Sequence, residues 1–146
     1  MPTPTEDALH QALTRLTIDT RPRHVHDVTR EVDRWLAGIG AGEGLLTVFI
    51  RHTSASLTIQ ENADPDVLAD LLDALDRIAP ANAGYRHGCE GPDDMPAHIK
   101  TMVTGPSVGI PVLDGRMDLG TWQGLYLIEH RARGRPRTLT LHYLGN

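Results

Sequence analysis

Sulfur chemistry has almost nothing to work with in this sequence: Cys89 is the single cysteine in 146 residues. A lone thiol makes no intrachain disulfide, and a reducing compartment fits. Aromatic residues are also scarce, at 4%. The core must therefore be aliphatic, and a base-stacking platform for single-stranded nucleic acid is excluded. Lysine is reduced to Lys100, the other thirteen of fourteen cations being arginine. Against nineteen Asp and Glu they leave a net charge of −5. General nucleic-acid binding and adhesion to an anionic membrane both need a basic surface, so neither partner is expected. No apolar run approaches the ~20 residues of a membrane helix, and Met1 to Leu9 lacks the apolar stretch of a signal peptide. A cytoplasmic protein is expected. There is no P-loop, no G-x-S-x-G elbow, and no G-x-G-x-x-G turn leading from a strand into a helix. The common nucleotide-cradle and serine-nucleophile readings fall with them.

What is present looks globular: 40% hydrophobic and 23% charged residues. The length supports one domain, residues 1–146, with residues 1–8 as a flexible tail. Residues 12–18 read as a strand. Asp27 to Leu36 reads as a helix, with Val28, Val32, Trp35, Leu36 and Ile39 on one 3.6-residue face. Glycines 38, 40, 42 and 44 end it. Leu45 to Ile50 reads as a buried strand, and Leu57 to Ile59 as another. Asp64 then caps a helix with Pro65 at its first position, an apolar stripe from Val67 to Ile78, and Pro80 as its stop. A third helix is expected over 94–103, with Pro96 tolerated in its first turn. Strands follow over 107–113, 126–130 and 138–144. No βαβ rhythm connects these elements. The expected fold is α+β, a mixed or mainly antiparallel sandwich with about three helices.

Charge is unevenly spread. Glu61 to Asp94 carries nine acids and two arginines, whereas Arg131 to Arg137 carries four arginines and no acid. The arginine run reads as a solvated turn, with a phosphate-facing loop as the sharper reading. Eight histidines are the other excess. His10 and His142 sit in strand contexts. His24 and His26 form an H-x-H pair whose rings share a side if that piece is extended, but it reads as an exposed loop. His52, His87 and His98 differ. His52 follows a buried strand and opens the hydroxyl-rich run Thr53-Ser54-Ala55-Ser56. His87 opens a glycine- and carboxylate-rich loop that leads into the helix bearing His98. Three imidazoles from three elements match an open catalytic zinc site, yet the long gaps fit no compact zinc pattern. Spacing alone leaves a metal site and a metal-free polar cluster both open. Hydroxyls, imidazoles, carboxylates and cations together suit a phosphorylated or otherwise anionic small molecule, with or without a divalent metal.

Three segments carry a more specific signal: Arg51-His52-Thr53-Ser54-Ala55-Ser56-Leu57 followed by Glu61-Asn62-Ala63-Asp64-Pro65-Asp66-Val67; His87 with the run from Glu90 to Lys100; and Leu119 to Gly124 followed by Glu129-His130-Arg131. In this order they resemble the YjbQ-like family, commonly labelled secondary thiamine-phosphate synthase. Cys89 departs from that pattern, where an ordinary polar residue is expected. The resemblance implies an α+β homotrimer with clefts between subunits. It also implies a polar site lined by His52, His87 and His98, holding a divalent metal or an anion. Zinc is the expected metal and magnesium the alternative. The implied reaction joins hydroxymethylpyrimidine diphosphate to a thiazole phosphate. On that basis His52, Glu90, Asp94, Lys100 and Gln123 are the candidate catalytic residues. Arg51, Ser54, Ser56 and Asn62 are the candidate anion-binding residues. Trp122 would shape the pocket or pack in the core. A metal-dependent hydrolase of a small phosphorylated substrate and a non-catalytic metal- or anion-binding trimer are the competing expectations.

Overall fold

A computed structural model describes residues 8–146. The expected tail, residues 1–8, lies almost wholly outside the described residues. Eleven elements follow in order: β1 (His10–Asp19), β2 (His24–Asp27), α1 (Thr29–Gly38), β3 (Gly44–Ile50), β4 (Ala55–Glu61), α2 (Pro65–Ile78), α3 (Asp94–Thr104), β5 (Ser107–Leu113), β6 (Arg116–Met117), β7 (Gln123–Glu129) and β8 (Pro136–Gly145). They form a five-stranded sheet in the order β1-β8-β3-β5-β6 and a three-stranded sheet in the order β2-β7-β4. Every strand pairing is antiparallel. The antiparallel form of the expected sandwich is therefore the one observed.

Strand alternation decides what each face does. On the large sheet Leu46, Val48 and Ile50 of β3 and Leu139, Leu141 and Tyr143 of β8 point inward. They meet Leu57, Leu125 and Leu127 of the small sheet and Val28, Val32 and Leu36 of α1 in one aliphatic core. The outer face of the large sheet is left with Leu13, Leu45, Phe49, Leu113 and Leu144, all exposed. The small sheet is buried on both sides, because α2 and α3 pack on its second face against β4. Residues 124–129 of β7 are buried without interruption.

The helix boundaries follow local chemistry. The Asp64 side chain accepts the Asp66 N–H at 2.9 Å, with Pro65 in the first turn of α2. Asp27 takes the Thr29 N–H at 2.9 Å from just before α1. In turn the Thr29 hydroxyl accepts the Leu125 N–H, which ties α1 to β7. Gly105, with φ +118°, ends α3 in a conformation that side chains resist. One expectation fails here: His24 and His26 belong to strand β2, paired with Glu129 and Leu127, and not to a loop. Their rings sit 4.6 Å apart. Among the described residues, no helix is long and apolar enough to cross a membrane.

Candidate functional site

The glycine- and acid-rich loop after α2 delivers Asp93 and Asp94 to the start of α3. Asp94 and His98 are one helical turn apart and share a face. The Asp94 carboxylate is almost fully buried, and its two oxygens do different work. Arg131 donates to Oδ1 at 2.7 Å. Oδ2 lies 2.6 Å from His87 Nε2 and 3.0 Å from His98 Nε2. The donor atoms of His87, Asp94 and His98 all fall within 4.8 Å of one another. The other nitrogen of His98, Nδ1, lies 2.9 Å from the Thr53 carbonyl. A carbonyl only accepts, so Nδ1 holds the ring proton there and Nε2 presents a lone pair to a carboxylate. Two electron-rich atoms facing each other at 3.0 Å require a cation between them, either a second proton or a metal ion.

Arg131 locks this corner. Its guanidinium also donates to Asp93 Oδ2 at 2.8 Å and to the Glu90 carbonyl at 2.9 Å. Its hydrogen bond holds the Asp93 carboxyl down at about 2. For Asp94, burial pushes the carboxyl up, but the hydrogen bond from His87 and the charges of His98 and Arg131 outweigh it, so it titrates below the ordinary range. Asp94 is thus a permanent anion at neutral pH.

The structure redistributes the other candidates. His52 is not the third member of the cluster; that place is taken by Asp94. The His52 Nε2 accepts the Thr138 N–H at 2.9 Å, an internal bond that holds its loop to β8. Burial, followed by the charge of Arg137, lowers its pKa. Even so, Arg51, His52, Thr53 and His98 line one cavity of about 680 Å³. Ser54 and Ser56 are buried and internally bonded. Arg137 donates to Ser54 Oγ at 2.9 Å. Ser56 Oγ lies 2.8 Å from His130 Nε2. Neither hydroxyl is offered to an anion. The serine–histidine contact is no nucleophile either: Ser56 is 0% exposed, and burial holds His130 down at about 4. Lys100 follows His98 by two residues and points to the opposite face of α3, where Nζ meets Asp76 at 2.6 Å.

Gln123 starts β7, about 20 Å along the strand from its His130 end. Its Oε1 accepts the Gly120 N–H, and its carbonyl accepts from Asn62. The chain does not bring Gln123 and Asn62 to the histidine cluster. Glu90 is exposed, in a polar cavity of about 390 Å³ with Arg131, Arg133 and Arg135. Trp122 is 64% exposed and packs in no core. Within the arginine run, Arg131 and Arg137 are spent on internal carboxylates, whereas the Arg133 and Arg135 side chains have no ion-pair partner among the described residues. The residues to which the sequence assigned no site role are Arg131, Thr53 as the carbonyl behind His98, and the Glu129–Arg137 pair. The spacing of Asp94 and His98 was the available signal.

Known proteins share this arrangement of elements. The family model described as UPF0047 protein YjbQ-like matches residues 14–146. A UPF0047 protein of Synechocystis sp. is 47% identical over 137 residues, covering 93% of this chain and 92% of the relative. The UPF0047 protein YjbQ of Salmonella typhimurium is 48% identical over 125 residues, covering 85% of this chain and 91% of the relative. Among solved structures, a YjbQ/UPF0047 family protein of Clostridium acetobutylicum superposes with TM-score 0.82 at 36% identity, covering 89% of this chain and 98% of the other. A YbjQ-like protein of unknown function from Sulfolobus solfataricus shares the fold, with TM-score 0.88 over 95% of this chain and all of the other, at 21% identity. With the match spanning both sheets, all three helices and the whole histidine–aspartate corner, the chain belongs to the YjbQ/UPF0047 family.

Proposed function

We propose that the protein is a metal-dependent enzyme acting on a small phosphorylated molecule, and that its reaction is a thiamine-phosphate-synthase-type transfer. The observation that carries this is the lone pair of His98 Nε2 aimed at Asp94 Oδ2, with His87 Nε2 at the same oxygen. Two imidazoles and a carboxylate fit zinc and related transition ions, with positions left open. Magnesium fits less well, since it prefers oxygen ligands. His87, Asp94 and His98 would hold the ion, which supplies charge to phosphate oxygens as a leaving group departs. The Thr53 carbonyl and Arg131 orient two of these three ligands from behind, as supporting groups do around metals.

In the transfer, the thiazole nitrogen forms a bond to the pyrimidine methylene carbon as that carbon's bond to the diphosphate oxygen breaks. The electron pair leaves with diphosphate, and negative charge grows on the leaving oxygens. Arg133 and Arg135 line the neighbouring cavity with no ion-pair partner among the described residues, and suit those oxygens. Glu90, beside them, is placed to orient the ligand or take a proton. Hydrolysis at the same site is the competing reading, favoured by the openness of the donor set, where a water would take the nucleophile's place.

The assembly belongs to the proposal. Five large apolar side chains on the outer face of the five-stranded sheet are exposed, Leu13 at 62% and Leu45 at 50%. Such a face calls for a partner surface, and a second and third copy would supply it as a homotrimer. Light scattering should report three chains per particle.

The deciding measurement is thiamine phosphate formed from the two precursors by the zinc-loaded protein. His98→Ala and Asp94→Asn should lose about 10²–10³ in rate. Arg30→Ala, on the exposed side of α1, should match the wild type. No product from the zinc-loaded wild type, or equal rates in all variants, overturns the transferase reading.

A further inference from the structure

The second face of α3 holds a cavity that the histidine cluster does not use. Its volume is about 540 Å³, and α2, α3 and the end of β7 enclose it. The geometry of β7 explains its floor. Tyr126, Ile128 and His130 alternate onto the side covered by the helices, so the strand ends by placing an imidazole beneath them. His130 is only 4% exposed and Lys100 only 6%. The walls are Pro22, Ala79, Pro80, Ala81, Pro96 and Ala132.

Two polar atoms at this floor are under-used. The His130 ring bonds Ser56 through Nε2, and Nδ1 has no hydrogen-bond partner among the described residues. Yet no fully buried side-chain nitrogen or oxygen among them lacks a partner. The Nδ1 atom must therefore touch open space, and the open space that His130 lines is this cavity. Lys100 Nζ donates one hydrogen bond, to Asp76 at 2.6 Å, which leaves two of its three N–H groups uncommitted. The hydroxyl chain behind the ring governs its proton. With the single Thr104 hydrogen directed to Ser56 Oγ, 2.5 Å away and the shorter of its two contacts, the Ser56 hydrogen goes to Nε2 and the ring proton sits on Nδ1. The Lys100 carbonyl, 2.8 Å from the Thr104 hydroxyl, is the competing acceptor for that first hydrogen.

We propose that this cavity is a second ligand site, for a small monocarboxylic acid with a short aliphatic body. One carboxylate oxygen takes a Lys100 N–H and the other takes the His130 Nδ1–H, while the carbon chain lies on the proline and alanine walls. A phosphate dianion is a poorer match. Its second charge would face Asp76 and Asp93, and Arg23 is already spent on Asp73 and Asp76. Burial holds His130 neutral, so the ring acts as a donor and not as a second cation. Nothing in this site depends on the His87–Asp94–His98 cluster.

The test is NMR of the full-length protein at neutral pH, with long-range ¹⁵N spectra of the His130 ring. Acetate, butyrate, 3-methylbutyrate and inorganic phosphate are titrated to about 50 mM, a range suited to ligands of so few heavy atoms. The expected result is a ring protonated on Nδ1 whose nitrogen shifts move with butyrate. Affinity should rise about fourfold per added methylene that reaches the walls. Lys100→Met should weaken binding tenfold or more. Ala81→Phe, at an exposed wall position, should block the cavity without disturbing the fold, so the proposal stays testable if Lys100→Met unfolds. Zinc binding should be unchanged in Ala81→Phe, which separates this site from the metal cluster. A His130 ring protonated on Nε2, no shift with any acid, undiminished binding in Ala81→Phe, or phosphate binding in preference to butyrate would overturn the proposal.

Discussion

Two carboxylates in this protein are each gripped by an arginine, and they end in opposite roles. Glu129 is 0% exposed. Its Oε1 accepts from Arg137 Nε at 2.8 Å and from Thr20 at 2.6 Å, and its Oε2 accepts from Arg137 at 2.5 Å and from the Arg131 N–H. Both oxygens are consumed by fixed groups of the chain. Asp94 has the same ingredients and is nearly as buried, but only Oδ1 is consumed by its arginine. Its Oδ2 meets two imidazoles with side chains 35% and 32% exposed. The first pair closes the sandwich where the strands end. The second leaves one oxygen and two ring nitrogens converging at the surface. Burial of a charge therefore does not separate structural from functional carboxylates here; the fate of the second oxygen does.

The largest effect should come from breaking the closed pair. Arg137→Met leaves Glu129 charged and without its main partner inside the sandwich. Orphaning one member of a buried pair typically costs about 3–5 kcal/mol. Urea denaturation should show a loss of that size, and Glu129→Gln should lose a comparable amount because the Arg137 charge is then orphaned. A loss below about 1 kcal/mol in both variants would show that the pair is solvated and that the contrast with Asp94 is not one of closure.

A mid-sized effect is expected from pH, and the sign differs by group. Asp93 is held by Arg131 at about 2, below its ordinary 3.8. A depressed carboxylate adds stability that is present above the unfolded pKa and is lost as pH falls from about 4 toward 2. Asp93 is 29% exposed at its side chain, so solvent trims the effect to the order of 1–2 kcal/mol. His130 acts in an earlier window. It is neutral when folded, with its pKa lowered from 6.5 to about 4. The unfolded chain gains the proton first, so stability falls between pH 6.5 and about 4, by a few kcal/mol at most. His24, His26 and His52 are also lowered by burial and contribute with the same sign. Arg131→Gln should flatten the acid limb below pH 4 and leave the earlier limb intact. An unchanged lower limb would mean that Arg131 does not govern this corner.

Much of the fold was legible in local patterns. The Asp64 cap, Pro65 and the stripe to Ile78 define α2 without tertiary help, and the clean alternation after Thr138 defines β8. The site was legible by half. His87 and His98 were recognisable from a loop with little to bury, but the third place in the cluster was expected for His52, from its position after a buried strand and from the family resemblance. Asp94 was given a catalytic role instead; a carboxylate at a helix start already has an ordinary purpose, so nothing local marks it as a member of the cluster. The arginine run hid the closed pair. Arg137 continues the inward alternation of Leu139, Leu141 and Tyr143, so a period of two was present in the residues. Four arginines without an acid made the segment read as a solvated turn, and an arginine is the last residue expected on a core face. His24 and His26 failed for a different reason: β2 exists because β7 offers an edge, and no four-residue segment states its partner.

The smallest effect should come from a third arginine with carboxylates, one that neither burial nor convergence singles out. Arg23 donates to Asp73 at 3.1 Å and also bonds Asp76. The side chains of Arg23 and Asp73 are 41% and 63% exposed. In water such a pair gains little attraction and gives up side-chain freedom to hold one geometry. A double-mutant cycle with Arg23→Ala and Asp73→Ala should therefore return a coupling under about 1 kcal/mol. The coupling should shrink further in 0.5 M salt, where screening acts over a few ångströms, roughly the length of the contact itself. Asp76 stays paired with Lys100 throughout, so the cycle isolates the exposed contact. If the coupling instead approached the cost of losing Arg137, exposure would not be what ranks the three arginines. The difference between the Glu129 and Asp94 corners would then have to be sought in their backbone settings.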